Sequence, residues 1–158
     1  MAGLAGREKG NEIMENIAVK ILREGAKLPT YGSAEAAGAD LYACLEGAMT
    51  IQPGQTAFIP TGFAMAVPKG CAGLIYARSG MACKHGLAPA NKVGVIDSDY
   101  RGEIIVALHN HSSEAKTVSH GERIAQMVIT PVLTPAYEAA ESLEETGRGA
   151  GGFGSTGK

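Results

Sequence analysis

The most distinctive group of chemically useful residues lies in residues 147–157, where six of eleven residues are glycine. Arg148, Ser155 and Thr156 stand among these glycines, and Lys158 follows them. Glycine leaves backbone N–H groups open to an anion, while guanidinium and hydroxyl groups add donors that suit phosphate oxygens. Such a segment cannot bury enough apolar surface to offset its ordering entropy, roughly 1–2 kcal/mol per residue. We therefore predict a flexible arm that a phosphate-bearing ligand orders.

Two familiar glycine patterns overlap in this arm. Residues 149–154 spell G-x-G-x-x-G, and residues 152–158 spell G-x-x-x-x-G-K. The first binds dinucleotides only between a strand and a helix, and the second needs a following Ser or Thr and a helix. Neither context is predicted here, so we reject both interpretations and retain only the suitability of the arm for phosphate.

Two earlier segments also combine polar groups with turn or strand-end positions. Residues 37–43 place Asp40 after a glycine, just before a strand-like run. Residues 77–82 follow an apolar strand and present an arginine, a serine and a glycine in succession. Taken alone, each has a structural explanation, since turns use Asp and Gly for backbone reasons.

Two further segments lie later in the chain. Residues 94–102 put Asp97 and Tyr100 between two β-type runs, which predicts a hairpin tip. Residues 121–126 open a strand with polar groups at alternate positions, ending at Gln126. Each of these also has a structural explanation when taken alone.

Cysteine and histidine offer little chemistry by comparison. The three cysteines form no C-x-x-C pair, so neither a disulfide framework nor a zinc knuckle is predicted. Cys83 stands two residues before His85, and His109 and His111 flank Asn110, but no second pair supplies metal-ligand spacing. We expect these side chains to be structural or to face solvent.

Short β-type runs, separated by turn signals such as Pro53-Gly54, must position these groups. Only residues 81–85 and 137–145 are predicted to form a helical turn or two. No βαβ alternation occurs, so the pattern predicts an all-β sandwich or barrel rather than a doubly wound α/β fold. The predicted strands lie at 19–21, 50–51, 55–59, 63–67, 72–77, 92–96, 104–110, 115–118 and 123–130.

Length and composition exclude several classes of protein. The 158 residues suit one domain, and 45% hydrophobic content excludes intrinsic disorder. A net charge of −2 disfavours a nucleic-acid-binding protein. No apolar run of membrane-spanning length and no secretory signal are found, so we predict neither membrane attachment nor export but a reducing cytoplasmic location. We divide the chain into a leader (1–16), a β domain (17–135) and a C-terminal segment with the arm (136–158).

The polar segments, taken together and in this order, resemble the five motifs of the trimeric dUTP pyrophosphatase (dUTPase) family, with the arm as the fifth. The resemblance runs from about Val19 to Gly157. It departs from the family pattern at Ala90, where a glycine is usual, and it leaves the leader unexplained. The resemblance implies a distorted jelly roll or β-barrel with one short helix and a flexible glycine-rich C-terminal arm.

The resemblance also implies an activity, the hydrolysis of dUTP to dUMP and diphosphate with Mg²⁺. A triphosphate near charge −4 cannot be held by a protein of charge −2 through bulk attraction, so a cation and local donors are required. Asp40 and Gln126 would contact waters of the Mg²⁺. The phosphate contacts implied are Arg78, Ser79, Gly80, Arg148, Ser155 and Thr156.

The same resemblance assigns the reacting water and the nucleoside. Asp97 would be the general base and would bind the 3′-hydroxyl, although an aspartate is a weak base near neutrality and would act mainly by positioning the water. Tyr100 would pack on the deoxyribose and exclude a 2′-hydroxyl. Phe153, beside Gly154, would stack on uracil. The uracil edge would be read by Asn91, Gly94, Val95 and Ile96.

The family assembles as a homotrimer whose subunits share each active site, with the arm crossing to a neighbour, and we expect the same here. Two alternatives remain open. One is an enzyme resembling dCTP deaminase, which has the same fold and needs a glutamate at the pyrimidine. The other is a nucleotide-binding module without turnover.

Overall fold

The computed structural model describes residues 16–154, and within that part of the chain it contains twelve strands and one short helix. No helix of this stretch is long and apolar enough to cross a membrane. The elements are β1 (Val19–Ile21), β2 (Thr30–Tyr31), β3 (Ala39–Tyr42), β4 (Met49–Ile51), β5 (Thr56–Pro60), β6 (Phe63–Met65), β7 (Cys71–Tyr76), α1 (Ser79–His85), β8 (Leu87–Pro89), β9 (Gly94–Ile96), β10 (Ile105–Asn110), β11 (Lys116–Val118) and β12 (Arg123–Pro131).

The longest strand, β12, organises the largest sheet. Its nine residues pair antiparallel with β3 on one side and β7 on the other, in the order β2-β3-β12-β7-β9. A second sheet has the order β5-β10-β8, and β1-β6 and β11-β4 form separate pairs. All these pairings are antiparallel, so the predicted all-β class is confirmed.

One apolar cluster joins the two larger sheets. Leu41 of β3 and Ile124 of β12 are fully buried with Ile59 of β5 and Leu108 of β10. Burying each such side chain contributes about 1.5–3 kcal/mol. The strands can bury these residues because alternate positions face the core. Polar residues at the intervening positions, such as Asp40, are thereby directed away from it.

The helix prediction is confirmed for residues 81–85, which lie in α1, and is wrong for residues 137–145. The latter residues form no helix, and Tyr137 and Leu143 are 96% and 89% exposed. An isolated short helix gains little without an apolar surface to pack on, and this segment has none within its own chain. The short strands β2, β3 and β8 lie outside the predicted runs, because two to four residues are too few to show a clear alternation in the sequence.

The predicted hairpin at residues 97–100 is wrong in its pairing. Strand β9 pairs with β7, whereas β10 pairs with β5 and β8. The loop that carries Asp97 therefore crosses from one sheet to the other. Turn residues and alternation identify strands, but they do not identify the partner of each strand, which is decided by packing.

Candidate active site

A row of polar side chains crosses the centre of the five-stranded sheet. Gln126 of β12 lies opposite Asp40 of β3 and opposite Tyr76 of β7. The Gln126 side-chain amide donates to the carbonyl of Ala77 at 2.9 Å. A Cβ added at Gly38 would stand 2.5 Å from Oε1 of Gln126, so the glycine before Asp40 leaves room for this amide.

Asp40 binds two arginines. Its Oδ1 accepts from Nε of Arg78 at 2.7 Å, and its Oδ2 accepts from Nη1 of Arg123 at 3.3 Å. The carboxylate is 13% exposed, so these charge-assisted bonds are partly shielded from water. The terminal nitrogens of Arg78 make no further hydrogen bond among the described residues, which leaves them available to an anion.

The Arg78 side chain borders an open cleft of about 400 Å³. Arg78 is the N-cap of α1, and Ser79 and Gly80 are its first two residues, whose N–H groups lack partners within the helix. The helix ends at Gly86 in the left-handed conformation, φ 69°. The cleft is lined by Arg78, Gly80, Met81, Lys84, His85, Glu122 and Arg123.

Lys84 and Arg123 were not among the predicted site residues. Arg123 could have been found, because it belongs to the same polar segment as Gln126 and stands three residues before it. Lys84 gave no such signal, since it lies on the last turn of α1 and reaches the cleft only through the course of the helix. With Arg78, these residues give the cleft an excess of positive charge, which suits a polyanion.

A second cleft, of about 270 Å³, follows β9. Asn91, Gly94, Val95 and Ile96, the residues expected to read the uracil edge, all line it. Gly94 is buried, and its Cβ position lies 3.4 Å from Nδ2 of Asn91, so the two approach closely. The backbone of a strand can read the edge of a planar base through its own N–H and C=O groups.

Asp97 and Tyr100 share an adjoining cleft of about 220 Å³ with Val95 and Ile96. The N–H of Tyr100 donates to the carbonyl of Asp97 at 3.2 Å, which closes a turn. Ile105 lines this cleft and the previous one and was not predicted.

Glu103 completes the cleft and anchors its loop. Its carboxylate accepts from Nε and Nη2 of Arg23 at 2.7 and 2.9 Å and from the N–H of Gly62 at 3.0 Å. The hydrogen bond from Arg23 lowers the pKa of Glu103; burial opposes this shift, and the Gly62 N–H adds to it. The anionic form of Glu103 is therefore the form that this contact favours.

Within one chain the two halves of the predicted site lie far apart. Ile96 of β9 pairs with Gly73 of β7, and the antiparallel register therefore brings Asp97 beside Ala72. Arg78 lies six residues after Ala72, beyond the other end of β7. At about 3.3 Å per residue, the separation is roughly 20 Å. The structure thus groups Asp40, Arg78, Ser79, Gly80 and Gln126 at one end of β7, and Asp97 and Tyr100 at the other.

The described residues of the C-terminal arm make no hydrogen bond to either half within their own chain. Their hydrogen bonds join them to one another, as between Nε of Arg148 and the carbonyl of Gly151 at 2.8 Å, and to the adjoining Thr146. Phe153 is fully exposed. Gly154 is the last residue described, and the predicted contacts of Ser155 and Thr156 lie outside the described residues.

No cluster of three or more His, Cys, Asp or Glu side chains that could hold a metal occurs between residues 16 and 154. Asp40 has both carboxylate oxygens on arginines, and the Gln126 amide is bound to Ala77. This donor set does not fit direct chelation by several protein ligands. It fits contacts to the waters of an ion that a ligand's phosphates chelate.

Comparison with known proteins decides the family. A sequence profile of the dUTPase family matches residues 24–157. The chain belongs to the dUTPase family. A deoxyuridine 5′-triphosphate nucleotidohydrolase of Desulfitobacterium hafniense is 53% identical over 148 residues, which cover 93% of this chain and 98% of that relative. One from Syntrophotalea carbinolica is 49% identical over 141 residues, covering 89% and 96%.

Solved dUTPases share the fold. A dUTPase of Staphylococcus bacteriophage 80alpha with dUpNHpp has a TM-score of 0.79 at 28% identity, covering 91% of this chain and 99% of its own. A dUTPase of S. aureus phage phi11, which coordinates a structural Mg(II) ion, has a TM-score of 0.72 at 25% identity, covering 82% and 99%. The predicted dUTPase-like β fold is confirmed.

Proposed function

We propose that this protein hydrolyses dUTP to dUMP and diphosphate, which limits uracil incorporation into DNA and supplies dUMP for dTMP synthesis. The family match carries the proposal, and the clefts supply its chemistry. The cation-rich cleft suits a triphosphate, and the β9 cleft suits a pyrimidine, with Asp97 beside it.

The reaction assigned here is attack of water on the α-phosphorus. Asp97 orients the water and takes one of its protons as the oxygen–phosphorus bond forms. The bond from the α-phosphorus to the α–β bridging oxygen breaks, and diphosphate leaves. Arg78, with Ser79 at the bridge, stabilises the charge that develops on the leaving oxygen.

Mg²⁺ bound to the phosphates would supply further neutralisation of that charge. Asp40 and Gln126 would contact its waters without chelating the metal directly. Asp40 is paired with Arg78 and Arg123, which both line the cation-rich cleft, and Gln126 is bound to Ala77, the residue before Arg78.

A homotrimer with shared active sites completes the site. Asp97 and Arg78 must act within a few ångströms of the same α-phosphate, yet one chain separates them by roughly 20 Å. We therefore assign the two groups in each site to different subunits. The arm of a third subunit would add Arg148 to the phosphates and Phe153 to the uracil. In support of this assignment, the described arm residues make no hydrogen bond to the β domain of their own chain, and Phe153 is fully exposed.

The two alternatives have less support. A dCTP deaminase needs a glutamate at the pyrimidine, and the described residues that line the β9 cleft include no carboxylate. A binding module without turnover is disfavoured by the family match, since the similar relatives are nucleotidohydrolases. The three free cysteines, Cys44, Cys71 and Cys83, suit the reducing cytoplasm that we assign to the protein.

One substrate panel tests the proposal. The full chain is incubated with Mg²⁺ and with dUTP, dTTP, dCTP or UTP, and diphosphate and ammonia are measured. We expect diphosphate from dUTP and little from the other three. Ammonia from dCTP would establish the deaminase, and binding of dUTP without diphosphate release would establish the module. Sedimentation of the same sample should give three chains per particle.

A further inference from the structure

The ring of Tyr100 lies directly against the backbone of Gly102. A Cβ added at Gly102 would overlap the ring, at 2.5 Å from Cζ and 2.9 Å from Cε2, and would stand closer still to the hydroxyl oxygen. Gly102 does not have a positive φ, so its backbone is open to any residue. The close approach of the Tyr100 ring therefore requires a glycine at position 102, whereas the backbone conformation of the turn does not.

The hydroxyl of Tyr100 forms a hydrogen bond with the residue that follows Gly102. It donates to the backbone carbonyl of Glu103 at 3.0 Å. The Glu103 side chain is itself fixed by Arg23, next to β1, and by the N–H of Gly62, between β5 and β6. The carbonyl that receives the hydroxyl is therefore anchored at two separate points of the β domain. The ring is held on one face by Gly102 and at its tip by Glu103.

We propose that Gly102 and Glu103 are positioning residues that fix the Tyr100 ring and thereby set the preference for deoxyribose over ribose. The inference rests on the proposed function, in which Tyr100 excludes the 2′-hydroxyl. Steric exclusion of one oxygen requires a wall placed to within a fraction of its diameter. The bare Cα of Gly102 lets the ring sit at that depth.

The first test is Gly102→Ala, measured as kcat/KM for dUTP divided by kcat/KM for UTP. The added methyl meets the free end of a side chain, so the ring moves while the fold remains. We expect the ratio to fall at least about tenfold, the scale on which one methyl-sized contact discriminates substrates. Gly47→Ala is the matched control, because nothing lies within 4 Å of its Cβ position and its φ is not positive. Its ratio and melting temperature should equal those of the wild type.

Two more variants test the hydrogen bonds that hold the tip of the Tyr100 ring. Tyr100→Phe removes the hydroxyl bond and Arg23→Gln removes the clamp on Glu103, while both keep the Gly102 contact. We expect each to lower the ratio by less than Gly102→Ala does. These variants also keep the proposal testable if Gly102→Ala fails to fold.

The outcomes separate the inference from the proposed function. Absence of dUTP hydrolysis by the wild type would contradict the proposed function before any variant is compared. If the wild type hydrolyses dUTP and Tyr100→Ala loses selectivity, but Gly102→Ala keeps the wild-type ratio, the inference is overturned and the function stands. Loss of selectivity in Gly102→Ala, with normal behaviour of Gly47→Ala, supports it.

Discussion

The cation-rich cleft and the C-terminal arm are both assigned to the triphosphate, yet they are built in opposite ways. In the cleft, Asp40 holds Arg78 and Arg123 at the centre of the largest sheet. In the arm, the large side chain of Phe153 is fully exposed. The cleft is organised before substrate arrives, whereas the described residues of the arm make no hydrogen bond to the β domain of their own chain.

This difference separates two kinds of contribution to catalysis. A preformed charge cluster stabilises developing charge without rearrangement at the moment of reaction. A segment that becomes ordered only around a bound nucleotide loses part of its binding energy to the entropy of its own ordering, but it excludes water from the site. We expect substitutions in the cleft to affect both stability and rate, and substitutions in the arm to affect rate alone.

The largest expected effect comes from Asp97→Asn. This variant tests whether the group that accepts the proton of the water lies in the β domain rather than in the arm. Loss of the group that accepts the proton should reduce kcat by roughly 10²–10⁴-fold. The amide keeps the size of the side chain, so binding of a non-hydrolysable dUTP analogue, followed by calorimetry, should stay within a few fold. Substantial turnover by this variant would remove Asp97 from its role.

Deletion of residues 147–158 tests the arm. We expect kcat/KM for dUTP to fall on the order of 10²–10³-fold, the effect of losing a donor to transition-state charge. The melting temperature and the oligomeric state should not change, because the described residues of this segment are hydrogen-bonded only to one another and to the adjoining Thr146. Full activity without the arm would show that the cleft suffices.

Asp40→Asn, compared with Arg148→Ala, sharpens the contrast directly. Loss of the charge that holds two arginines should lower the free energy of unfolding by about 1–3 kcal/mol, measured in urea, and should also reduce kcat. Arg148→Ala should reduce kcat with no change in unfolding. Equal unfolding free energies for both variants would contradict the view that the cleft is preorganised.

The smallest effect concerns pH and the anchored loop. Because Arg23 lowers the pKa of Glu103, the contact stabilises the fold fully above the ordinary glutamate pKa of about 4.3. That contribution disappears as the pH falls below this value and through the lower pKa of the folded state. Melting temperatures between pH 7 and pH 3 should therefore fall more steeply for the wild type than for Glu103→Gln. Parallel curves would show that the contact contributes nothing.

Some of the architecture could be read from the chain alone. Alternation of apolar residues and the Pro-Gly turns located most strands, and residues 81–85 were correctly predicted to be helical. The segment at 137–145 was predicted to be helical and is rich in helix formers, but propensity without a packing surface did not produce a helix. Local pattern therefore predicted best where a buried face also existed.

The candidate site shows the same limit. The sequence identified Asp40, Arg78 and Gln126 as polar groups at strand ends, and the structure brings them together across β12. It did not identify Lys84 or Ile105, whose neighbours in space are distant in the chain. It also joined Asp97 to the next strand in a hairpin, although β9 pairs with β7.

The amino-acid sequence by itself determined the all-β class, the family and the chemical identity of the polar groups, because residue type and order along the chain carry that information. Only the tertiary structure decided that Asp97 and Arg78 lie at opposite ends of one strand and that the arm stands apart from both. Pairing of strands and direction of side chains depend on the packing of residues far apart in sequence, which no local pattern encodes.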